Sequence, residues 1–217
     1  MIRQSAIGLT MAVAVVAGAA AQLKTPADWK WRLDCCDNKV VESEPRANEF
    51  HFVAMPPGWH MTSAVGGVLF HPDFMTKNTQ QFVVEAEIFL FPGESQEEFG
   101  VFVGGKNLTP EGTPSYLSFV ARRDGRAAIL RQQGPPLLAW TTTDGLAPHP
   151  GKDSVKTTFR IEALKSEVVF SANGKEVTRV TRDRVNLDGH FGFRVGKGMN
   201  LHASRLDITH RLAPTPK

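Results

Sequence analysis

Phe159-Arg160-Ile161-Glu162-Ala163-Leu164, then Val168-Val169-Phe170-Ser171-Ala172, then Asn173-Gly174 leading into Lys175-Glu176-Val177: these residues decide the fold. The first segment alternates apolar with polar, the two-residue period of a strand with one buried face. Asn-Gly between alternating segments is the strongest short-range hairpin signal, because a type I′ turn needs φ > 0 at both central residues. The stretch therefore reads as strand, strand, tight turn, strand. Gly189-His190-Phe191-Gly192-Phe193-Arg194-Val195 follows, with Phe191, Phe193 and Val195 on one face, and residues 201–209 close the set.

The same grammar extends upstream. Residues 49–54 alternate Phe50 and Phe52 against His51, and Met55-Pro56-Pro57-Gly58 forces a turn. A strand at 68–70 and a loop at 71–79 precede the longest strand, 81–91, which sets Val84, Ala86, Ile88 and Leu90 on one side and Glu85 and Glu87 on the other. After Pro92-Gly93, residues 99–103 form a strand that Gly104-Gly105 ends. Residues 116–122 alternate Leu117, Phe119 and Ala121 against Tyr116, Ser118 and Arg122, and a two-residue Asp124-Gly125 turn leads into 126–131. Residues 132–156 read as one long loop rich in proline and glycine. No helical period of any length appears. Ten or so short strands with regular turn signals argue an all-β domain, a two-sheet sandwich or a barrel. Phe82, Val84, Ile88, Phe119, Phe159, Ile161, Phe170, Phe191 and Phe193 are its expected core.

Residues 1–21 pair a basic start at Arg3 with an apolar run and end in Ala19-Ala20-Ala21, the pattern of a secretory signal peptide. Residues 22–48 are an extended lead-in whose Trp29 and Trp31 cover an edge or end of the core, 49–211 are the sandwich, and 212–217 are a frayed tail. No later stretch is apolar enough to span a membrane, so the expected location is secreted or periplasmic. Arg3 is one of 25 basic residues against 22 acidic ones; the remainder is near neutral without long runs of one sign, which excludes the clustered basic face of a nucleic-acid binder. Cys35 and Cys36 are neighbours. Their Cα atoms stand about 3.8 Å apart, short of the roughly 4.4–6.8 Å usual for a disulfide, so free thiols or a bridge to another chain are expected.

With the strands in place, residues 159–177, Leu187-Asp188-Gly189-His190-Phe191-Gly192-Phe193 and Leu206-Asp207-Ile208 resemble the carboxy-terminal half of concanavalin A-like jelly-roll domains. The front half is similar in order, through Trp59, Gly67-Val68-Leu69, residues 82–90 and Gly100-Val101-Phe102. The resemblance covers most of the chain beyond residue 21 and implies a jelly-roll β-sandwich of two antiparallel sheets. Its layout looks nearest to laminin-G-like modules and bacterial 3-keto-glycoside hydrolase-like proteins. The latter carry Asn-Ser-Gly and an arginine after the long strand, where this chain has Glu98-Phe99-Gly100. Fold likeness alone does not transfer an activity.

Strand parity places Glu85, Glu87, Tyr116, Ser118, Arg122, His190 and Arg194 opposite the apolar set. In a jelly roll such a face lines a sugar-binding groove; in an ordinary antiparallel sheet it is simply solvated. Tyr116, Arg122, Trp140, His190 and Arg194 are the ligand-binding candidates, aromatic rings for stacking and arginines for forked hydrogen bonds to hydroxyls or a uronic carboxylate. Glu85 and Glu87, with Cα atoms roughly 6.7 Å apart, fall within the about 5–9.5 Å that glycosidase carboxylate pairs require and are the catalytic candidates. No metal motif exists by spacing. Concanavalin-like domains often hold calcium on loop carbonyls and aspartates, which makes Asp144 and Asp153 the metal candidates. The expected function is a non-catalytic module binding a carbohydrate or cell-surface glycan; the rivals are a glycoside hydrolase acting on a (3-keto) disaccharide or glucan, and a structural or protein-interaction domain.

Overall fold

The computed structural model describes residues 23–35 and 37–211, so the segment read as a signal peptide, Cys36 and the tail at 212–217 lie outside the described residues. In chain order the strands are β1 (Lys30–Leu33), β2 (Lys39–Val41), β3 (Glu49–Ala54), β4 (Trp59–Ser63), β5 (Gly67–Thr76), β6 (Phe82–Leu90), β7 (Phe99–Lys106) and β8 (Ser115–Ala121). They continue as β9 (Arg126–Arg131), β10 (Leu138–Thr142), β11 (Val155–Ala163), β12 (Glu167–Ala172), β13 (Lys175–Thr181), β14 (Gly189–Val195) and β15 (Asn200–His210). A single turn of 3-10 helix, Arg182–Arg184, is the only helical element among the described residues.

The strands build two sheets. Sheet A runs β1-β5-β14-β7-β8-β9-β10 and sheet B runs β13-β12-β11-β6-β15-β4-β3-β2. All pairings are antiparallel except β2 with β3. The lead-in segment thus contributes to both layers, β1 at the edge of sheet A and β2 at the edge of sheet B.

The two inner faces share one core. Phe82, Val84, Ile88, Phe159, Ile161 and Phe170 come from sheet B, and Phe119, Phe191 and Phe193 from sheet A, each no more than 1% exposed. Each such side chain stabilises the domain by about 1.5–3 kcal/mol relative to exposure. Contacts across the layers are edge-to-face: Phe119 meets Phe159 at 5.3 Å and Phe170 at 5.6 Å between ring centroids. Trp29 closes one end, stacked on Phe193 at 5.7 Å and edge-on to Phe52 at 5.3 Å.

The hairpin between β12 and β13 forms as its sequence demands, with Asn173 at φ 48° and Gly174 at φ 77°. The β8–β9 hairpin differs from expectation. Asp124 does not have positive φ, Gly125 does (82°), and the Gly125 N–H donates to the Arg122 carbonyl at 3.0 Å while the Arg122 N–H donates to Arg126 at 2.9 Å. The turn is therefore a three-residue loop with a glycine bulge rather than a two-residue one.

Three further expectations are corrected. The loop expected at 71–79 is mostly strand, since β5 continues to Thr76 through a register shift that accommodates Pro72; proline is tolerated at such a bulge because no ladder donor is needed there. The long loop at 132–156 contains β10, which pairs with β9 through a bulge that hides its period. Cys35 is disulfide-bonded, which removes the free-thiol alternative of the two that the spacing left open.

Candidate functional site

The residues that parity grouped as one polar face occupy two faces, on opposite sides of the sandwich. Glu85 and Glu87 belong to β6 in sheet B; Tyr116 and Arg122 lie on and just after β8, and His190 and Arg194 on β14, all in sheet A.

On the outer face of sheet B, β6 lies between β11 and β15, which bring cations to both sides of it. Arg160 donates to Glu85 at 3.1 Å, and Arg205 donates to the other Glu85 oxygen. Glu87 faces Lys156 at 3.6 Å and Arg205 at 3.9 Å and accepts from the Ser204 hydroxyl. Glu162 is held by Arg211 and Arg160. The arrangement makes Glu85 and Glu87 partners in a surface ion-pair lattice. Farther along this face, His51, His60 and His202 stand on adjacent strands, with ring centroids 5.8 and 6.4 Å apart on either side of His60.

The outer face of sheet A is different in kind. Val68 and Phe70 on β5, Phe102 on β7, Tyr116 on β8 and Leu108 beyond β7 form a second apolar cluster, none more than 7% exposed. Leu108 belongs to the loop at 107–114, which folds over the sheet. Arg32 on β1 grips that loop by its main chain, donating to the carbonyls of Thr109 and Pro110. Tyr116 packs on Phe102 at 5.3 Å, and burial pushes its hydroxyl up to about 12. Its ring is a component of this cluster, not an open platform.

Arg194 also has its partners. It donates to Asp34 at 2.7 Å and, through two nitrogens, to Glu98 at 2.9 and 3.2 Å. Burial by itself would lower its pKa, but the hydrogen bond to Asp34 and the charges around it outweigh that, and the net shift is upward. The triad ties β14 to the segment after β1 and the one before β7. Arg122 lies over the Trp140 ring at 3.9 Å, a cation–π contact that joins β8 to β10 across the turn. Asp144 and Asp153 are exposed in the loop between β10 and β11. Among the described residues no group of three or more histidine, cysteine or acidic side chains could hold a metal ion.

Of the sequence candidates, His190 alone lines a cleft of about 1020 Å³ on this outer face. Its floor is Phe70, His190, Gly189 and Gly105. One wall is the arginine-held loop, with Asn107, Leu108 and Thr109; the other is Pro72 and Met75; and Lys30, Lys77 and Lys106 reach it from three separate segments. The glycines are dictated by backbone approach: a Cβ on Gly189 would stand 2.3 Å from the Gly105 carbonyl oxygen, and one on Gly105 would strike Phe102 and Leu108. The floor thus lacks side chains where β14 and β7 bulge together. His190 rests its ring 4.9 Å from Phe70. Burial draws its pKa below the ordinary value, opposed by the Phe74 backbone, so the imidazole is neutral at neutral pH.

Parity could not find the lysines, since each sits at a strand end where alternation stops. The nearest signal was Gly104-Gly105 with the later glycines Gly189 and Gly192, which mark bulged strands that approach each other closely.

No family model matches the chain, and no curated protein matches it. Solved structures do. A protein of unknown function with a galectin-like fold from Bacillus subtilis is 14% identical, with 83% of this chain and 88% of that one aligned at a TM-score of 0.57. A carbohydrate-binding module, CBM66, from the same organism is 13% identical over 73% of this chain and 90% of its own, at 0.54. An alginate lyase, A1-II′, is 13% identical over 85% and 95%, at 0.53. At these identities the likeness concerns the backbone: the chain is similar to each in architecture, and its fold is a concanavalin A-like jelly roll.

Proposed function

We propose that the protein is an extracytoplasmic glycan-binding module whose ligand lies in the cleft on the outer face of sheet A. The observation that carries this reading is the cleft itself. Its exposed apolar side chain, Met75, with Pro72 beside it, suits the flat C–H face of a pyranose. His190, Asn107 and the lysines supply polar groups for hydroxyls, and the volume is at the upper end of the roughly 300–1,000 Å³ typical of small-molecule sites. A carbohydrate-binding module and an alginate lyase among the structural neighbours support a sugar ligand on this architecture.

The test is a glycan array with the chain lacking residues 1–21, followed by titration calorimetry of the best ligand. Met75→Ala and His190→Ala should each weaken binding by about 5- to 30-fold, as loss of one contact of about 1–2 kcal/mol does, while Glu85→Gln on the opposite face leaves it unchanged. Absence of any glycan ligand would leave the structural or protein-interaction reading in the lead. The neutral imidazole of His190 inside the cleft favours one second reading, cleavage of the bound glycan with His190 as base. Turnover that disappears in His190→Ala while binding persists would establish it.

A further inference from the structure

We infer that the cleft selects an anionic glycan, one whose sugars carry carboxylate or sulfate groups; this rests on the glycan reading of the same cleft. Three lysines line it, Lys30 on β1, Lys77 just after β5 and Lys106 at the end of β7. Among the described residues, no ion pair or hydrogen bond engages the ammonium groups of Lys30, Lys77 or Lys106. The one carboxylate at the cleft, Asp188, turns back into the fold and accepts the Asn78 backbone N–H at 2.6 Å. The local balance is therefore three positive charges to one negative, with that negative charge already solvated by the protein.

The opposite sheet shows what this chain does when charges serve only the fold. There Glu85, Glu87 and Glu162 are matched by Arg160, Arg205, Arg211 and Lys156. The cleft lacks such matching and has instead an apolar floor beside its cations. An uncharged sugar would use the floor and leave the ammonium groups in water. An acidic sugar uses apolar surface and cations together, laying its ring on Pro72 and Met75 and directing its anion to the rim. His190, neutral at neutral pH, adds a hydrogen-bonding group without adding charge. Lysine presents a mobile point charge rather than a rigid fork, so carboxylate and sulfate are served by the same rim.

Calorimetry at low and high salt tests this with four probes: an oligogalacturonate, its fully methyl-esterified counterpart, a sulfated galactan oligosaccharide of the same length, and a neutral glucan oligosaccharide. The expected result is that at least one anionic probe binds about tenfold or more tighter than the esterified and neutral ones, with the advantage shrinking as salt shortens the Debye length from about 10 Å at 0.1 M. The two anionic arms show whether carboxylate or sulfate is the better fit. The triple variant Lys30→Gln/Lys77→Gln/Lys106→Gln should abolish the preference, and Lys152→Gln/Lys165→Gln/Lys175→Gln, altered outside the cleft, should retain it. Equal affinity for the esterified and acidic probes, or a preference that the second variant removes as well as the first, would overturn the charge selection while leaving glycan binding intact. No binding by any probe would overturn both. Circular dichroism of both variants separates lost charge from lost fold.

Discussion

On the outer face of sheet B, Glu85, Glu87 and Glu162 stand among Arg160, Arg205, Arg211 and Lys156 in water. On the outer face of sheet A, Val68, Phe70, Phe102, Leu108 and Tyr116 are nearly as buried as the central core. Both sheets bury their inner faces in the same way. The difference arises from β7 and β8, in which nearly every residue is buried, against β6 and β11, in which half-exposed positions alternate with buried ones. A strand buried on both faces within two layers requires a third covering, and here it is the loop at 107–114 with the Arg194 triad. What the comparison teaches is where function has room: a solvated lattice of paired charges presents a level surface, and a partly covered apolar sheet leaves a cleft at the margin of its cover.

The contrast can be broken most directly at Phe102. It is fully buried on the outer side of sheet A, so Phe102→Ala should destabilise the domain by about 3–5 kcal/mol, the range for deleting a core phenylalanine. Denaturant unfolding would measure it, and a loss below about 1 kcal/mol would reduce the second cluster to a surface patch.

The ion pairs of the two faces make the next comparison. Arg194→Ala strands Glu98, whose side chain is 13% exposed, beside Asp34, at 40%. The expected loss is about 2–3 kcal/mol, below the 3–5 of a fully buried pair because Asp34 is partly hydrated. Glu85→Gln, amid half-exposed partners, should cost about 0–1 kcal/mol. Equal losses in the two variants would mean that the faces do not differ in electrostatic burial.

The smallest effect concerns pH. Burial, and after it the neighbouring His51 and His202, lower the pKa of His60 from 6.5. Proton binding therefore favours the unfolded chain, and His60 contributes stability that is present above pH 6.5 and lost as pH falls through its lowered folded value. His190 acts with the same sign by burial. The carboxylates of Glu42 and Glu49, held down by hydrogen bonds from Thr25 and Lys24 and from Lys39 and Arg46, lose their contribution only below pH 4.5, which separates the windows. His60→Gln should flatten the fall in melting temperature between pH 6.5 and 4.5, leaving the part due to His190; an unchanged slope would place the acid sensitivity on sheet A alone.

Much of the fold could be read from residues because its signals are local. Asn173-Gly174 prescribes its own turn, and the alternation at Phe159, Ile161 and Ala163 names its buried side without reference to any partner. The site was less legible for a specific reason. Parity tells whether a side chain points into or out of its own sheet, and a sandwich has two outsides; Glu87 and His190 satisfy the same rule and stand on opposite surfaces. Nor does parity reveal a covering loop, so Tyr116 reads as outward and is nonetheless buried. The lysines share one cleft only because β1, β5 and β7 belong to one sheet, a long-range relation that no window of sequence contains.

The grip of Arg32 on Thr109 and Pro110 has a bearing on how such a surface diversifies. The arginine holds two main-chain carbonyls, which every amino acid possesses, so the anchorage is indifferent to the identity of the residues it secures. Glu111 and Thr113 can be exchanged with this anchor intact, whereas Gly112 is held to glycine because a Cβ there would stand 2.7 Å from the Asn107 carbonyl oxygen. The far side of the loop is thereby an editable part on a fixed hinge-post, and a single cation in β1 suffices to let its surface drift while the sheet beneath it stays closed.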